Sequence, residues 1–167
     1  MSSSFDVSTE SPASVEQIHA AFAREDYWRA RIAGNADITL DSLVVDADDA
    51  VTVRVTQHIG RQLLPGLAAK FVKGDLRIVQ SETWRPNGDR QLRGQARITA
   101  SGGLGSGQVE TWLAPADDGG CQARSALRVE VKIPLVGGKF EKAIGSDLAA
   151  GIPEILRFTT TWITENT

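Results

Sequence analysis

Few residues in this chain combine the types and the spacing that chemistry requires. Its two histidines, His19 and His58, have no other histidine or cysteine at ligand spacing. No nucleophile, base and orienting acid can be assembled around them, so both read as surface or satisfied side chains. The lone Cys121 opens a predicted strand beside a turn and reads as structural rather than nucleophilic. A single cysteine also excludes an intramolecular disulfide and a cysteine-rich zinc site. Gly102-Gly103-Leu104-Gly105-Ser106-Gly107 has the glycine density of a phosphate loop but lacks the Lys-Ser/Thr that would follow. It joins two strands and reads as a hairpin turn. Among strand carboxylates, Glu82 and Glu110 are the two whose facing decides something. Turned inward, either becomes a candidate acid or base in a buried site; turned outward, both are surface charges. No catalytic residue, metal or cofactor is assigned.

The chain has 167 residues, 18 Lys+Arg against 21 Asp+Glu, a formal net charge of -3 and 41% hydrophobic residues. That is one domain's worth, residues 1–167, able to bury roughly 70% of the surface its unfolded form exposes. The charge balance leaves no basic footprint, so nucleic acid is not expected as a partner. No apolar run approaches the roughly 20 residues of a spanning helix, so stable membrane insertion is not expected either. The polar, acidic start MSSSFDVSTESPAS does not resemble a signal peptide. With one cysteine, the expected location is the cytoplasm.

The elements follow from periodicity. Residues 5–9 alternate as a short strand, and Ser11-Pro12 is expected to open a helix carrying Val15, Ile18, Ala21 and Phe22 at helical spacing. A second short helix spans 25–32. Residues 38–47 read as a strand with a phase slip near Asp41-Ser42, and residues 51–59 as a cleanly alternating one. Residues 76–85 and 90–100 flank Asn87-Gly88, a hairpin signal; residues 108–114 and 121–133 flank a longer turn. Beyond Pro134 an amphipathic helix runs to the C-terminus with Phe140, Ala143, Ile144, Leu148, Ile152, Ile155, Thr159, Trp162 and Ile163 on its apolar stripe. Gly151 and Pro153 are expected to kink or break it. The class is α+β: a curved seven-stranded antiparallel sheet wrapped around the long C-terminal helix, with two short helices after the first strand.

Facing decides whether that sheet is filled or hollow. Residues 92–100 turn Leu92, Gly94, Ala96, Ile98 and Ala100 inward, a notably small set that permits either close helix approach or a void. The preceding strand has two registers. Hydrophobic phase turns Leu76, Ile78 and Trp84 inward, with Gln80 and Glu82. A two-residue Asn87-Gly88 turn instead pairs Glu82 with Arg93 on the outer face and turns Val79, Ser81 and Thr83 inward. The second register is preferred. Residues 60–74 combine Leu63, Leu64, Leu67 and Phe71 with Arg61, Lys70 and Lys73, a mixture suited to a lid, a membrane-surface contact, a homodimer contact or a well-packed connection.

The order of elements, with Phe71-Val72-Lys73-Gly74-Asp75-Leu76, Glu82-Thr83-Trp84 and Val131-Lys132-Ile133-Pro134-Leu135-Val136-Gly137-Gly138-Lys139-Phe140-Glu141, resembles the START-like (SRPBCC, Bet v 1-like) superfamily. Within it, these stretches are similar to an actinobacterial family of unknown function. The resemblance implies a helix-grip fold with a hydrophobic cavity between sheet and C-terminal helix. Superfamily members bind lipids, sterols, polyketides or plant hormones, and some are cyclases, aromatases or hydroxylase subunits; the narrow family brings no catalytic residues.

The leading expectation is therefore a non-enzymatic protein binding a small hydrophobic molecule, such as a lipid or polyketide. Val53, Val55, Leu92, Ala96, Leu127, Val129, Ile144, Leu148 and Ile155 would supply apolar walls, and Ser81, Thr83 and Ser125 the inward polar groups. Trp28, Phe71 and Trp162 either gate the pocket or belong to the core. One competitor is an enzyme resembling polyketide cyclases, which requires a buried ionisable group in the cavity. The other is a ligand-free interaction module with a collapsed pocket.

Overall fold

The computed structural model describes residues 2–60, 62, 70 and 74–167. Strand β1 (Ser3–Ser11) is followed by helices α1 (Val15–Phe22) and α2 (Glu25–Ile32). Strands β2 (Ile38–Val45), β3 (Val51–Ile59), β4 (Leu76–Pro86), β5 (Leu92–Ala100), β6 (Gly105–Pro115) and β7 (Cys121–Val131) come next, then the long helix α3 (Gly137–Asn166). The seven strands form one sheet in the order β1-β7-β6-β5-β4-β3-β2, every neighbouring pair antiparallel. Helices α1 and α2 carry the chain from one edge strand to the other. The expected α+β helix-grip architecture is present, with the open, curved sheet gripping α3.

Helix α1 begins later than Ser11-Pro12 suggests. Ser14 is its N-cap: the Ser14 hydroxyl accepts from the Gln17 amide at 3.1 Å, and the Gln17 side chain accepts from the Ser14 amide at 2.9 Å. This reciprocal capping satisfies two otherwise unpaired donors and fixes the start. Ser11 is instead the last residue of β1, its hydroxyl 2.6 Å from that of Thr160 on α3. The phase slip expected near Asp41-Ser42 is present as a register shift between Leu40 and Ser42 where β2 pairs β3.

In β7, buried Cys121, Ala123, Ser125, Leu127 and Val129 alternate with exposed Gln122, Arg124 and Arg128, as the period of two requires. In β5 the inward set is again Leu92, Gly94, Ala96, Ile98 and Ala100.

The preferred register of β4 is overturned. Trp84 pairs Gly94, Glu82 pairs Ala96 and Gln80 pairs Ile98, so Trp84, Glu82 and Gln80 face inward and Ser81 and Thr83 face outward. The β4–β5 connection is not a two-residue turn. It spans residues 87–91, closed by Asn87 N–H to Gln91 O at 2.9 Å and Gln91 N–H to Gly88 O at 2.8 Å, with Gly88, Asp89 and Arg90 all at positive φ. Burial decides the issue: a slip that reverses the facing of Trp84 would expose its indole. Gly94 is the matching half of that choice. A Cβ there would lie 2.4 Å from the Trp84 ring, so the indole lies flat on the strand only because residue 94 is glycine.

Helix α3 is about 45 Å long at 1.5 Å per residue. Of the kink or break expected at Gly151 and Pro153, the break is absent: the helix runs on through both. It docks at two places. Near its start Gly137 and Gly145 touch Val131 O and the Phe5 ring, where a Cβ would lie 2.5 Å and 2.1 Å away. Buried Glu141 also accepts from the Val131 amide at 2.9 Å. In its last turns Leu156, Thr159, Trp162 and Ile163 are buried against the α1–α2 end. Between Gly145 and Leu156 no helix residue is buried. The middle of α3 stands away from the sheet and roofs a hollow.

Candidate functional site

The hollow lies where large side chains are missing from the sheet. Ala96, Ala123, Gly94 and Ser125 floor it, and Leu148, Ile152 and Ile155 of α3 roof it. One chamber, of about 140 Å3, ends against Ile18 and Phe22 of α1, Trp84 of β4 and Arg31 of α2. A second, of about 310 Å3, lies toward the start of α3 and is walled almost wholly by apolar groups, including Leu76, Ile78, Ala100, Ile133, Phe140 and Ile144. The two share Ile98 and Leu148. A third recess of about 170 Å3, between α2 and β2–β4, shares Arg31, Gln80 and Glu82 with the first chamber. The larger chamber falls in the volume range of small-molecule sites, mostly apolar with few polar groups, as such sites are.

The polar groups gather at one end. Glu82 reaches inward from β4 and lies 3.7 Å from the Arg31 guanidinium, with only 10% and 15% of the two side chains exposed. Arg31 stacks over Trp28, its guanidinium carbon 4.7 Å from the ring centre. Burial works to lower the Arg31 pKa, but the Glu82 carboxylate and the Tyr27 hydroxyl outweigh it and hold the guanidinium above its ordinary value. Tyr27 OH lies 2.6 Å from Thr159 Oγ1, which donates onward to Ile155 O at 2.9 Å. Burial pushes the Tyr27 phenol above its usual value. Thr111 and Ser125 satisfy each other across β6–β7 at 2.8 Å.

Trp84 is different. Its side chain lines the first chamber and the residue is 9% exposed. Among the described residues, its indole Nε1 is the buried side-chain donor without a hydrogen-bond partner.

The expected wall residues divide accordingly. Ala96, Ser125, Leu148 and Ile155 line the first chamber, Val129 and Ile144 the second, and Val55 the recess. Val53, Leu92 and Leu127 face inward but are consumed by packing, each 2% exposed or less. Ser81 and Thr83 lie on the outer face of β4 for the register reason above, and Gln80, Glu82 and Trp84 occupy the inward places expected of them. Leu63, Leu64, Leu67 and Phe71, expected to form a lid, lie outside the described residues. Trp28 borders the recess, and Trp162 belongs to the core.

His19 Nε2 lies 2.7 Å from Asp49 O on the surface, and His58 is exposed. Glu110 points outward and pairs with Arg93 at 3.5 Å, the partner expected for Glu82. Burial pushes the Cys121 thiol up to about 11, which suits a structural cysteine. Arg31 was not among the expected site residues. The available signal was helical spacing: it lies four residues after Tyr27 and three after Trp28, on the same face as two buried aromatics.

Comparison with known proteins places this geometry. Residues 6–163 match the model of a family described as protein of unknown function, DUF2505. An uncharacterised protein of Mycobacterium tuberculosis is 37% identical over 177 residues, covering 99% of each chain. Among solved structures, Ara h 8.0201 superposes with a TM-score of 0.57 at 12% identity, covering 99% of this chain and 100% of that one. A START superfamily protein from Mycobacterium smegmatis gives 0.53 at 13%, covering 98% and 99%. Norcoclaurine synthase from Thalictrum flavum, in complex with dopamine and hydroxybenzaldehyde, gives 0.51 at 15%, covering 100% and 89%. The chain belongs to the DUF2505 family, and its fold is the START-like helix-grip fold. No helix among the described residues is long and apolar enough to cross a membrane.

Proposed function

We propose that this DUF2505 protein acts as one START-like domain that binds a small hydrophobic molecule in the hollow between its sheet and α3. The observation carrying this reading is the gap in the packing under the middle of the helix: Leu148, Ile152 and Ile155 face small residues of β5–β7 across a chamber rather than across a packed core. Interiors pack densely by default, and a void walled by apolar groups forgoes contacts that an apolar ligand would restore, at about 25 cal/mol per Å2 buried. To test it, the protein is purified under non-denaturing conditions, extracted with organic solvent and examined by mass spectrometry. A stoichiometric hydrophobic compound is the expected result. A folded protein that carries none, and that leaves the fluorescence of an added apolar probe unchanged, contradicts the reading.

The inward Glu82 favours a second reading, an enzyme of polyketide cyclase or aromatase type with Glu82 as acid or base. That norcoclaurine synthase shares the fold agrees with it. Binding predicts that a bound compound is recovered chemically unchanged after prolonged incubation. Conversion by the native protein, lost in Glu82→Gln with the compound still bound, would establish the enzyme instead.

A further inference from the structure

The face of the sheet turned away from α3 takes no part in the cavity, and its charge is opposite to that of the chain. On β4–β7 it carries six arginines, Arg77, Arg85, Arg93, Arg97, Arg124 and Arg128, against two glutamates, Glu110 and Glu130. The chain as a whole has a formal net charge of -3. We propose that this face is a docking surface for an extended acidic segment of a partner protein, whose Asp and Glu carboxylates are received by two rows of arginines.

Strand register builds the rows. Arg93, Trp112 and Arg124 stand side by side on β5, β6 and β7, and so do Arg97, Gln108 and Arg128 four residues further along. The rows are about 13 Å apart along the strands, and the arginines within a row about 10 Å apart across them. An extended segment of about five residues reaches from one row to the other. Trp112 orders the first row: the guanidinium carbons of Arg93 and Arg124 lie 5.8 Å and 4.9 Å from its ring centre. A guanidinium held over an aromatic ring keeps its N–H fork free for a carboxylate and loses less freedom in binding one.

The fold does not use these charges up. Arg93 lies 3.5 Å from Glu110, with more than two-fifths of both side chains exposed. Arg85, Arg97, Arg124 and Arg128 are exposed and make no ion pair among the described residues. Arg85 also stands directly opposite Arg93, a like-charge pairing that weakens the sheet and that a bound carboxylate would relieve.

The same features select the occupant. A second copy apposed face to face would set arginine against arginine. Peripheral membrane binding combines charge with buried apolar area, but the exposed large apolar side chains, among them Val44, Leu135 and Phe158, lie on β2, on α3 and in the loop before it. Single-stranded nucleic acid stacks its bases on open aromatic faces. Among the described residues Trp112 is the aromatic of this face, and its ring is taken by arginines. The amides of Gln95, Gln108 and Gln122 both donate and accept, which suits the peptide groups of an extended chain.

The test uses the full chain and labelled octaglutamate, read by fluorescence anisotropy, with octaglutamine, octauridylate and phosphatidylserine vesicles as comparisons. Octaglutamate should bind, less tightly as salt is added, and octaglutamine should not. Arg93→Gln/Arg124→Gln should weaken octaglutamate binding about tenfold, the worth of two exposed ion pairs. Arg29→Gln/Lys142→Gln, which removes the same charge from α2 and α3, should leave it unmoved. Glu110→Gln, which removes the opposing charge between the rows, should strengthen it about threefold. The substituted side chains are solvent-accessible, and circular dichroism checks that each variant is folded. Octaglutamate that fails to bind, or that both double variants weaken equally, overturns the proposal. Tighter binding of octauridylate or of the vesicles also overturns it and makes the face a nucleic-acid or membrane surface instead.

Discussion

The last turns of α3 and the stretch that covers the larger chamber rest on opposite kinds of surface. At its C-terminal end Trp162 stands edge-on to Tyr27, 5.3 Å between ring centres, and Tyr27 meets Trp28 in the same way at 5.2 Å. Phe22 bridges this group to Trp84. Nearer its start the helix faces Ala100, Gly105 and Gly107 across the larger chamber, and Ile144 stays 43% exposed. One amphipathic stripe therefore does two jobs. Where the sheet and short helices present aromatics it is a packing surface; where they present small residues it is a roof. The stripe itself does not distinguish these uses. The facing surface does.

Substitutions on that one helix should expose the contrast most strongly. Trp162→Ala removes a buried aromatic and should cost about 3–5 kcal/mol of unfolding free energy in urea titrations. Ile144→Ala should cost less than about 1 kcal/mol, because the side chain is partly in solvent and borders a void. Comparable losses at both positions would mean that α3 is as well packed over the larger chamber as in its last turns.

The polar end of the cavity gives the next largest effect. Arg31→Met strands the Glu82 carboxylate in a nearly dry site and should cost about 3 kcal/mol. Adding Glu82→Leu should recover most of it, since a buried pair is often replaceable as a unit. The double variant should melt close to the original protein; additive losses would argue that each group has another essential partner.

Alkaline pH should separate the tight end from the open one. Folding raises the Cys121 thiol from 9.0 to about 11 and raises the Tyr27 phenol above its ordinary value, both through burial. A raised pKa means that the folded state holds its proton longer than the unfolded state. The associated stability is complete below pH 9 and is lost as pH rises toward 11. Urea midpoints should fall between pH 9 and 11, with Cys121→Ala falling less steeply. The smallest expected change is at the surface: Arg90→Ala breaks a 2.6 Å pair with Glu16 in which both side chains are more than half exposed, and should leave the urea midpoint at neutral pH essentially unmoved.

How much of this was readable in advance follows the same divide. Periodicity located the strands, and the bulge beside Asp41 was visible as a slip in alternation, because both depend on local burial pattern. Pro12 suits a first helical turn and so points to too early a start for α1, whereas the Ser14–Gln17 reciprocal cap, three residues after Ser11, binds more donors. The facing of β4 departs from the local signal for a related reason. Asn87-Gly88 favours a two-residue turn locally, but burying Trp84 against Gly94 is worth more than that preference. That single register places Glu82 and Trp84 in the cavity and removes Ser81 and Thr83 from it. Gly94 directly opposite an aromatic was the missed signal. The pairing of Arg31 with Glu82 joins residues 51 positions apart across α2 and β4, a contact that no local pattern encodes.

The central claim is that the hollow beneath the middle of α3 is the binding site. Isothermal titration of a fluorescent apolar probe into the native protein and into Ala96→Trp tests it most directly, because Ala96 floors the first chamber and an indole there would fill it. The account predicts binding at one site in the native protein and its loss in Ala96→Trp, with the circular dichroism of both unchanged. Undiminished affinity in a folded Ala96→Trp would place the ligand elsewhere and contradict the account.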